Sequence, residues 1–316
     1  MPFAHRHPKA NGAHAFTCLS HRLGLAIGAT IALLAGTSAQ AQHAGFVLFG
    51  EPDAAFAASP AENTFVHPCT SPYFNENSFI TTDLRLWYAY QKFDDSTPLG
   101  DGHGQVAAAE IRLALTDRLQ LVAYKDGYFW IDSDNLDESG WNDVAAGLKW
   151  NFYRDVEKQF HMAVGAGYQF PWGDADVLQN DGEARVWFSI DKGFDKLHLG
   201  ATLNGLFATD DDERWGSSDR VHWDVRADYR LTDWFSPVVE FNGNHSLDDE
   251  NAALPFQGGD LGNFGKGEDD PIVTFGAGGE LRPCERVGLR AMWETQLNNE
   301  DDLFDWRLTL SLVINF

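Results

Sequence analysis

The chain has 316 residues, 44% hydrophobic and 22% charged, with 47 acidic against 23 basic side chains and a net charge of −24. Such an acid excess repels phosphate backbones, and no basic stretch or zinc-type Cys/His spacing offsets it, which argues against nucleic-acid binding. An aromatic content of 13% is too high for a solvated coil, and the longest apolar run, Leu23 to Ala35, is too short for a membrane-spanning helix, which needs about 20 residues.

Residues 1–41 hold three basic side chains (Arg6, Lys9, Arg22), no acidic one, the Leu23–Ala35 apolar stretch and a small-residue site ending at Ala41. This is the pattern of a signal peptide cleaved after Ala41. Residues 42–78 follow, with an apolar piece from Ala44 to Phe49; they read either as a periplasmic segment or as a plug folded into a lumen.

From about residue 79 the sequence alternates with a period of two, the mark of strands with one apolar face. In chain order the runs are Thr82 to Tyr90, Ala107 to Leu115, Leu119 to Asp126, Asp143 to Phe152, Phe160 to Phe170 and Glu183 to Asp191. They continue as Leu197 to Phe207, Val221 to Leu231, Pro237 to Gly243, Ile272 to Arg282, Val287 to Thr295 and Asp305 to Phe316. Twelve strands, most long enough to cross a bilayer at a tilt, predict an all-β, transmembrane, antiparallel up-and-down barrel over 79–316. Short connections, as at Thr116-Asp117-Arg118 and Thr232-Asp233-Trp234, alternate with long ones near 94–103, 128–140, 171–182, 209–219, 247–271 and 296–303. The six long loops carry 25 acidic residues and two basic ones, Arg214 and Lys266, so an acidic outer mouth is expected. Aromatic clusters such as Trp150 to Tyr153 and Phe170-Pro171-Trp172 sit at strand ends, where interfacial girdles belong.

The final strand places Trp306, Leu308, Leu310, Leu312, Ile314 and the terminal Phe316 on one face. Here the chain resembles Gram-negative outer-membrane proteins, whose last strand ends in an aromatic read by the barrel-assembly machinery. The resemblance implies Phe316 as an assembly signal, an outer-membrane location, and the lipid bilayer with its lipopolysaccharide as partners. The chain also resembles the transporter-like barrels grouped as a putative MetA-pathway of phenol degradation family, which carries over no individual binding residue.

With apolar positions toward lipid, the lumen receives acidic Asp83, Glu110, Asp126, Asp143, Glu183, Asp191, Asp224, Asp228, Glu240, Glu280, Glu294 and Asp305. It also receives basic Arg85, Arg112, Lys149, Arg185, Arg226, Arg230, Arg282, Arg290 and Arg307, with His222 heading the densest ladder. Balanced signs imply cross-strand ion pairs, read either as polar filling or as a constriction that selects small polar solutes. Twelve strands give a narrow lumen.

An outer-membrane lipid hydrolase would need a His-x-Ser pair on one strand face, and no His here is followed two residues later by Ser. His161, His198 and His222 lack a nearby Ser nucleophile, so no catalytic residue and no enzyme are expected. Asp132 to Asp143 departs from an EF-hand loop at Leu136, Asp137 and Asp143. No resident metal or cofactor is expected, although Asp210 to Glu213 and Glu268 to Asp270 either hold divalent ions loosely toward lipopolysaccharide or are simply solvated. Cys69 and Cys284 both fall on the periplasmic side in this topology, so a disulfide between them is feasible, as are two free thiols. The predicted function is a passive channel or transporter for a small solute. The alternative is a plugged structural or lipopolysaccharide-interacting barrel, and the solute is not identified by the sequence.

Overall fold

The computed structural model describes residues 46–50, 64–93, 95, 99–177, 179, 182–209, 218–247, 259–262, 272–298 and 304–316, all within one compact unit. The signal peptide with its cleavage site, Asp210 to Glu213 and Glu268 to Asp270 lie outside the described residues.

Fourteen strands are formed among the described residues: β1 (Asp83–Phe93), β2 (Gly102–Ala114), β3 (Leu119–Lys125), β4 (Tyr128–Ser133), β5 (Asp137–Trp141), β6 (Val144–Asp155) and β7 (Phe160–Phe170). The rest are β8 (Glu183–Phe194), β9 (Leu197–Ala208), β10 (Arg220–Tyr229), β11 (Phe235–Ser246), β12 (Ile272–Cys284), β13 (Val287–Gln296) and β14 (Trp306–Asn315). Each pairs antiparallel with its neighbours, and β1 pairs with both β2 and β14, which closes the sheet. Because β3 and β4 both pair with β2, while β6 pairs with β3 and β5 with β4, each couple occupies one place in the wall. The result is a closed barrel of twelve strand positions.

The predicted loop 128–140 is therefore mostly a hairpin, β4 and β5, that extends the wall. The sequence hid it because Asp126-Gly127 looks like a strand end. Gly127 has φ +123°, and a Cβ there would meet the Ala107 carbonyl oxygen at 2.9 Å, so the chain kinks without leaving the sheet. At the opposite rim the repeated Leu-Thr-Asp turns behave alike: Thr116 Oγ1 accepts from Leu119 N and Thr232 Oγ1 from Phe235 N, both at 3.0 Å. These side-chain bonds replace ladder bonds that the turning backbone cannot make.

Alternation gives each strand two environments. In β8 the side chains of Glu183, Arg185, Trp187, Ser189 and Asp191 are buried inside, while Val186 stands exposed outside. Leu86, Ile111, Leu148, Leu203, Val225 and Trp293 continue that outer apolar belt. Trp150, Tyr153, Phe194 and Trp234 ring the short-turn rim, and Trp130, Trp141 and Trp172 the long-loop rim. Residues 46–50 lie along the short-turn rim, where Leu48 N donates to Ala114 O and Phe49 N to Leu115 O, both at 2.9 Å, and Thr82 Oγ1 donates to Phe46 O at 2.8 Å.

Candidate functional site in the barrel lumen

Residues 64–82 run inside the barrel as a loop that rises from the short-turn rim, turns over at Ser71–Asn75 and descends into β1. The rising limb is held by wall carboxylates: Val66 N donates to Asp228 Oδ1 at 3.3 Å, Cys69 N to Glu240 Oε1 at 3.0 Å and Thr70 N to Glu240 Oε2 at 2.6 Å. At the apex Ser71 adopts φ +49°, and its carbonyl accepts from Phe74 N and Asn75 N at 3.0 and 2.9 Å. The Ser71 hydroxyl bonds His222 Nε2 at 2.8 Å, which corrects the expectation that His222 has no Ser nearby; the same nitrogen also faces Asp224 Oδ1 at 3.0 Å. On the descending limb Glu76 receives Arg112 through two bonds, at 3.1 and 2.8 Å, and Lys149 at 2.9 Å. Ser78 N donates to Asp191 Oδ2 at 2.7 Å. Phenylalanines seat on lumen histidines, Phe65 on His198 at 4.0 Å, Phe74 on His222 at 5.0 Å and Phe79 on His161 at 4.9 Å between ring centres.

Burial in this site would raise the Glu76 carboxyl, yet Arg112 and Lys149 outweigh it and hold the group well below the usual carboxylate range. Burial, reinforced by the Glu240 carboxylate, pushes the Cys69 thiol up to about 12. That thiol is inert as a nucleophile in the closed arrangement.

The wall charges predicted for the lumen are brought together as a network. Arg85 meets Glu110 at 3.4 Å, Arg112 also reaches Asp83 at 3.5 Å and Glu110 at 3.0 Å, and Arg226 pairs with Asp191. Further round, Arg290 meets Glu280 at 2.7 Å, Arg282 meets Glu280 at 2.5 Å, and Arg307 bridges Glu294 and Asp260 at 2.7 and 2.8 Å. His222 Nε2 approaches Asp224 Oδ1 at 3.0 Å, and His198 Nδ1 lies 2.7 Å from Asp228 Oδ2.

Arg230 and Asp305 are corrections. β10 ends at Tyr229, so Arg230 sits in the turn and pairs at 2.9 Å with the exposed Asp233, and Asp305 is exposed just before β14 begins. The disulfide is a third. Cys69 is buried at the segment's inner course, packed with Val66, Val238 and Met292, whereas Cys284 is exposed at the turn rim, and both are free. Asp260 reverses another expectation, because residues 259–262 of a long loop fold back into the lumen, where Arg220 donates to Gly259 O at 2.8 Å.

Among the described residues, one sector of the lumen carries no charge. The inward side chains of β1, β2 and β4 above Trp87 are Ala89, Phe93, Val106, Phe129 and Ile131, joined by Leu99, Val177 and Leu261 from the loops. They enclose a recess of about 540 Å³, its open mouth included, edged by Gln91 and Gln179. Tyr73, packed edge-on against Trp87 at 5.2 Å, joins the same apolar cluster and links it to the apex of the inner segment. Sequence reasoning missed these residues. In β1 the parity of Asp83 and Arg85 points Ala89 and Phe93 inward, a signal that was available. In β4 no signal existed, because an irregularity between Ala123 and Lys125 and the Asp126-Gly127 kink move the inward set from even to odd positions.

The model of the family described as "Putative MetA-pathway of phenol degradation" matches residues 71–301, more than two thirds of the chain. No curated protein matches. Among solved structures, the COG4313 outer membrane channel from Pseudomonas putida F1 is similar with a TM-score of 0.56 at 14% identity, covering 80% of this chain and 100% of that one. A KdgM porin gives a TM-score of 0.47 at 8% identity, over 74% of this chain and 99% of its own. A NanC porin gives 0.46 at 9% identity, over 74% and 98%.

Proposed function

The chain is a member of this MetA-pathway family, and from that premise we propose that it is an outer-membrane channel for a small apolar solute, closed at rest by residues 64–82. The outward apolar belt between two aromatic rims suits a bilayer-spanning wall, and export by the N-terminal signal would deliver it there. The observation that carries the solute class is the uncharged recess on the loop side of the segment's apex. Lumen faces of such barrels are polar, so a run of inward Ala89, Phe93, Val106, Phe129 and Ile131 needs a reason. A cavity of about 150 Å³ lined by aliphatic and aromatic side chains takes up benzene, whereas the walled part of this recess offers about 50 Å³. A single ring or a short alkyl chain is taken up where the recess widens toward its open mouth, with Gln91 and Gln179 at its edge as polar groups for one hydroxyl. The family description's mention of phenol degradation agrees with that polarity.

The acidic outer loops add a second property, a mouth that disfavours anions and lets neutral solutes pass. A closed structural barrel is the competing reading, favoured by how completely residues 64–82 occupy the lumen. Transport assays with the protein in lipid vesicles separate them. Uptake of a monocyclic phenol above that of protein-free vesicles, reduced by V106D, supports the channel; equal rates with and without the protein overturn it. A mono-acidic lumen mutation of this kind places an unpaired carboxylate in the recess, so apolar binding there should fall by roughly tenfold or more.

A further inference from the structure

Seven arginines are buried inside the described barrel, and six of them touch a carboxylate: Arg85, Arg112, Arg220, Arg226, Arg290 and Arg307. Arg185 does not. Its Nη1 donates to Tyr73 O and its Nη2 to Phe74 O, both at 2.8 Å, while Nε and Nη2 reach Asn204 Oδ1 at 2.9 and 2.7 Å. The guanidinium lies 4.6 Å from the Tyr124 ring centre and 4.5 Å from that of Trp187, with Phe74 at 5.4 Å.

This slot is built by the wall. Trp187 lies flat over Gly165, where a Cβ would stand only 2.1 Å from the ring, so the glycine is what lets the indole flank the guanidinium. The slot recognises main-chain carbonyls at the apex turn, with the Phe74 ring as the segment's one side-chain contact among the described residues. A guanidinium fork fits two adjacent carbonyls as it fits a carboxylate, and aromatic faces replace part of the missing charge.

We propose that Arg185 is the latch that holds the segment closed. The argument is one of difference between states, and it rests on the channel reading above. If the apex withdraws, the six paired arginines keep carboxylates of the wall or of the folded-in loop. Arg185 keeps only Asn204 and its aromatic neighbours, and a buried guanidinium short of acceptors is costly. Its favourable contacts therefore belong to the closed state, and only interactions that differ between two states bias their populations. Lys149 also depends on the segment through Glu76 and Asn77, but it grips the descending limb, whereas Arg185 grips the apex that separates the turn rim from the recess. Because Tyr73 supplies a carbonyl to Arg185 and a ring to the apolar cluster, a solute entering the recess presses on the residue that the latch holds.

The chain carries its own reporter. Cys69 is buried on the segment and Cys284 is exposed at the rim, so alkylation of Cys69 by iodoacetamide, divided by that of Cys284 in the same sample, reads segment opening. In the detergent-solubilised barrel, R185M should raise this ratio by roughly tenfold, the effect of losing about one charge-assisted hydrogen bond's worth of bias. R185K, which keeps the charge but cannot fork, should fall between R185M and the parent. Heat-modifiable gel mobility should stay that of the parent barrel in both variants. An unchanged ratio in folded R185M overturns the latch. So does failure of both variants to form a heat-modifiable barrel, since Arg185 would then serve the wall itself. If the parent shows no phenol uptake while R185M still exposes Cys69, the channel reading falls and the latch stands.

Discussion

Two sectors of the same lumen are built on opposite principles. Around most of the circumference the inward side chains are charged or polar, and the charges are paired with one another and with residues 64–82; around β1, β2 and β4 above Trp87 they are mainly apolar and leave a recess. In the first sector the most conspicuous sequence feature, the His222, Asp224, Arg226, Asp228 ladder, is committed to neighbours: Asp228 to His198 and Val66 N, Arg226 to Asp191 and Asn75. Groups so committed cannot bind a passing solute without first being released. The second sector is lined mainly by apolar side chains and offers space. A dense run of charge marks where this barrel holds itself together, and the quiet sector marks where it can hold something else.

The sharpest way to break that division is at Glu76. E76L leaves Arg112 and Lys149 facing an apolar side chain in a dry interior, which for a buried ion pair costs about 3–5 kcal/mol. Chemical denaturation of the refolded barrel, or loss of Cys69 protection, should register it. A stability equal to the parent's would mean the charged sector does not fix the segment. G165L tests the aromatic slot next: with Trp187 2.1 Å from the added Cβ, the ring must leave the wall, at a cost of roughly 1–3 kcal/mol. Its expected signature is raised Cys69 reactivity with β-sheet content retained.

Acid titration gives a smaller and graded effect. Glu76 is held charged in the fold well below its ordinary value of 4.5. Its contribution is complete above that value and is lost as pH falls below it, because the unfolded chain takes up the proton first. Burial and the neighbouring Arg290 also depress His67, so protonating it likewise disfavours the closed segment below its ordinary value of 6.5. The thermal midpoint in detergent should fall between pH 6 and pH 3, and E76Q should flatten the lower part of the curve. A curve equally steep in E76Q would assign the acid response elsewhere. Smallest in its effect on the finished barrel is removal of Phe316, whose exposed ring makes few contacts beyond its backbone bond to Thr82 O at 2.9 Å. The melting of protein already assembled should barely move, while the yield of assembled protein in the outer membrane should drop; normal yield would remove Phe316 from the assembly role.

The wall was legible because a strand with one face in lipid must alternate: all twelve predicted strands are present, eleven of them with shifted boundaries. Phe160–Phe170 was recovered residue for residue. The omission, the β4–β5 hairpin, sits behind a glycine that keeps the ladder while breaking the period. The lumen side chains were legible for the same geometric reason, with Arg230 and Asp305 lost to strand ends that fall one residue short. What could not be read was the filling. Residues 64–82 have no repeating period, because each one meets a different part of a curved wall, and only distances across the lumen reveal that Glu76 belongs with Arg112 and Lys149. Cys69 and Cys284 looked like partners because both project to one end of the barrel. The segment's climb toward its apex takes Cys69 away from that end.

The segment is fastened on both sides, by residues 46–50 along the short-turn rim and by Thr82 leading into β1. Its partners lie far along the chain: Val66 meets a residue 162 positions away, Cys69 one 171 away, and Phe65 accepts from Arg282, 217 away. Contacts of such separation form late in folding. A strand-to-strand seam at β1 and β14 closes the wall that carries those partners. The order of assembly is thereby constrained: the strands carrying Asp228, Glu240 and Arg282 must stand in the wall before the inner loop finds its bonds, so the seating of the segment completes the barrel and does not start it.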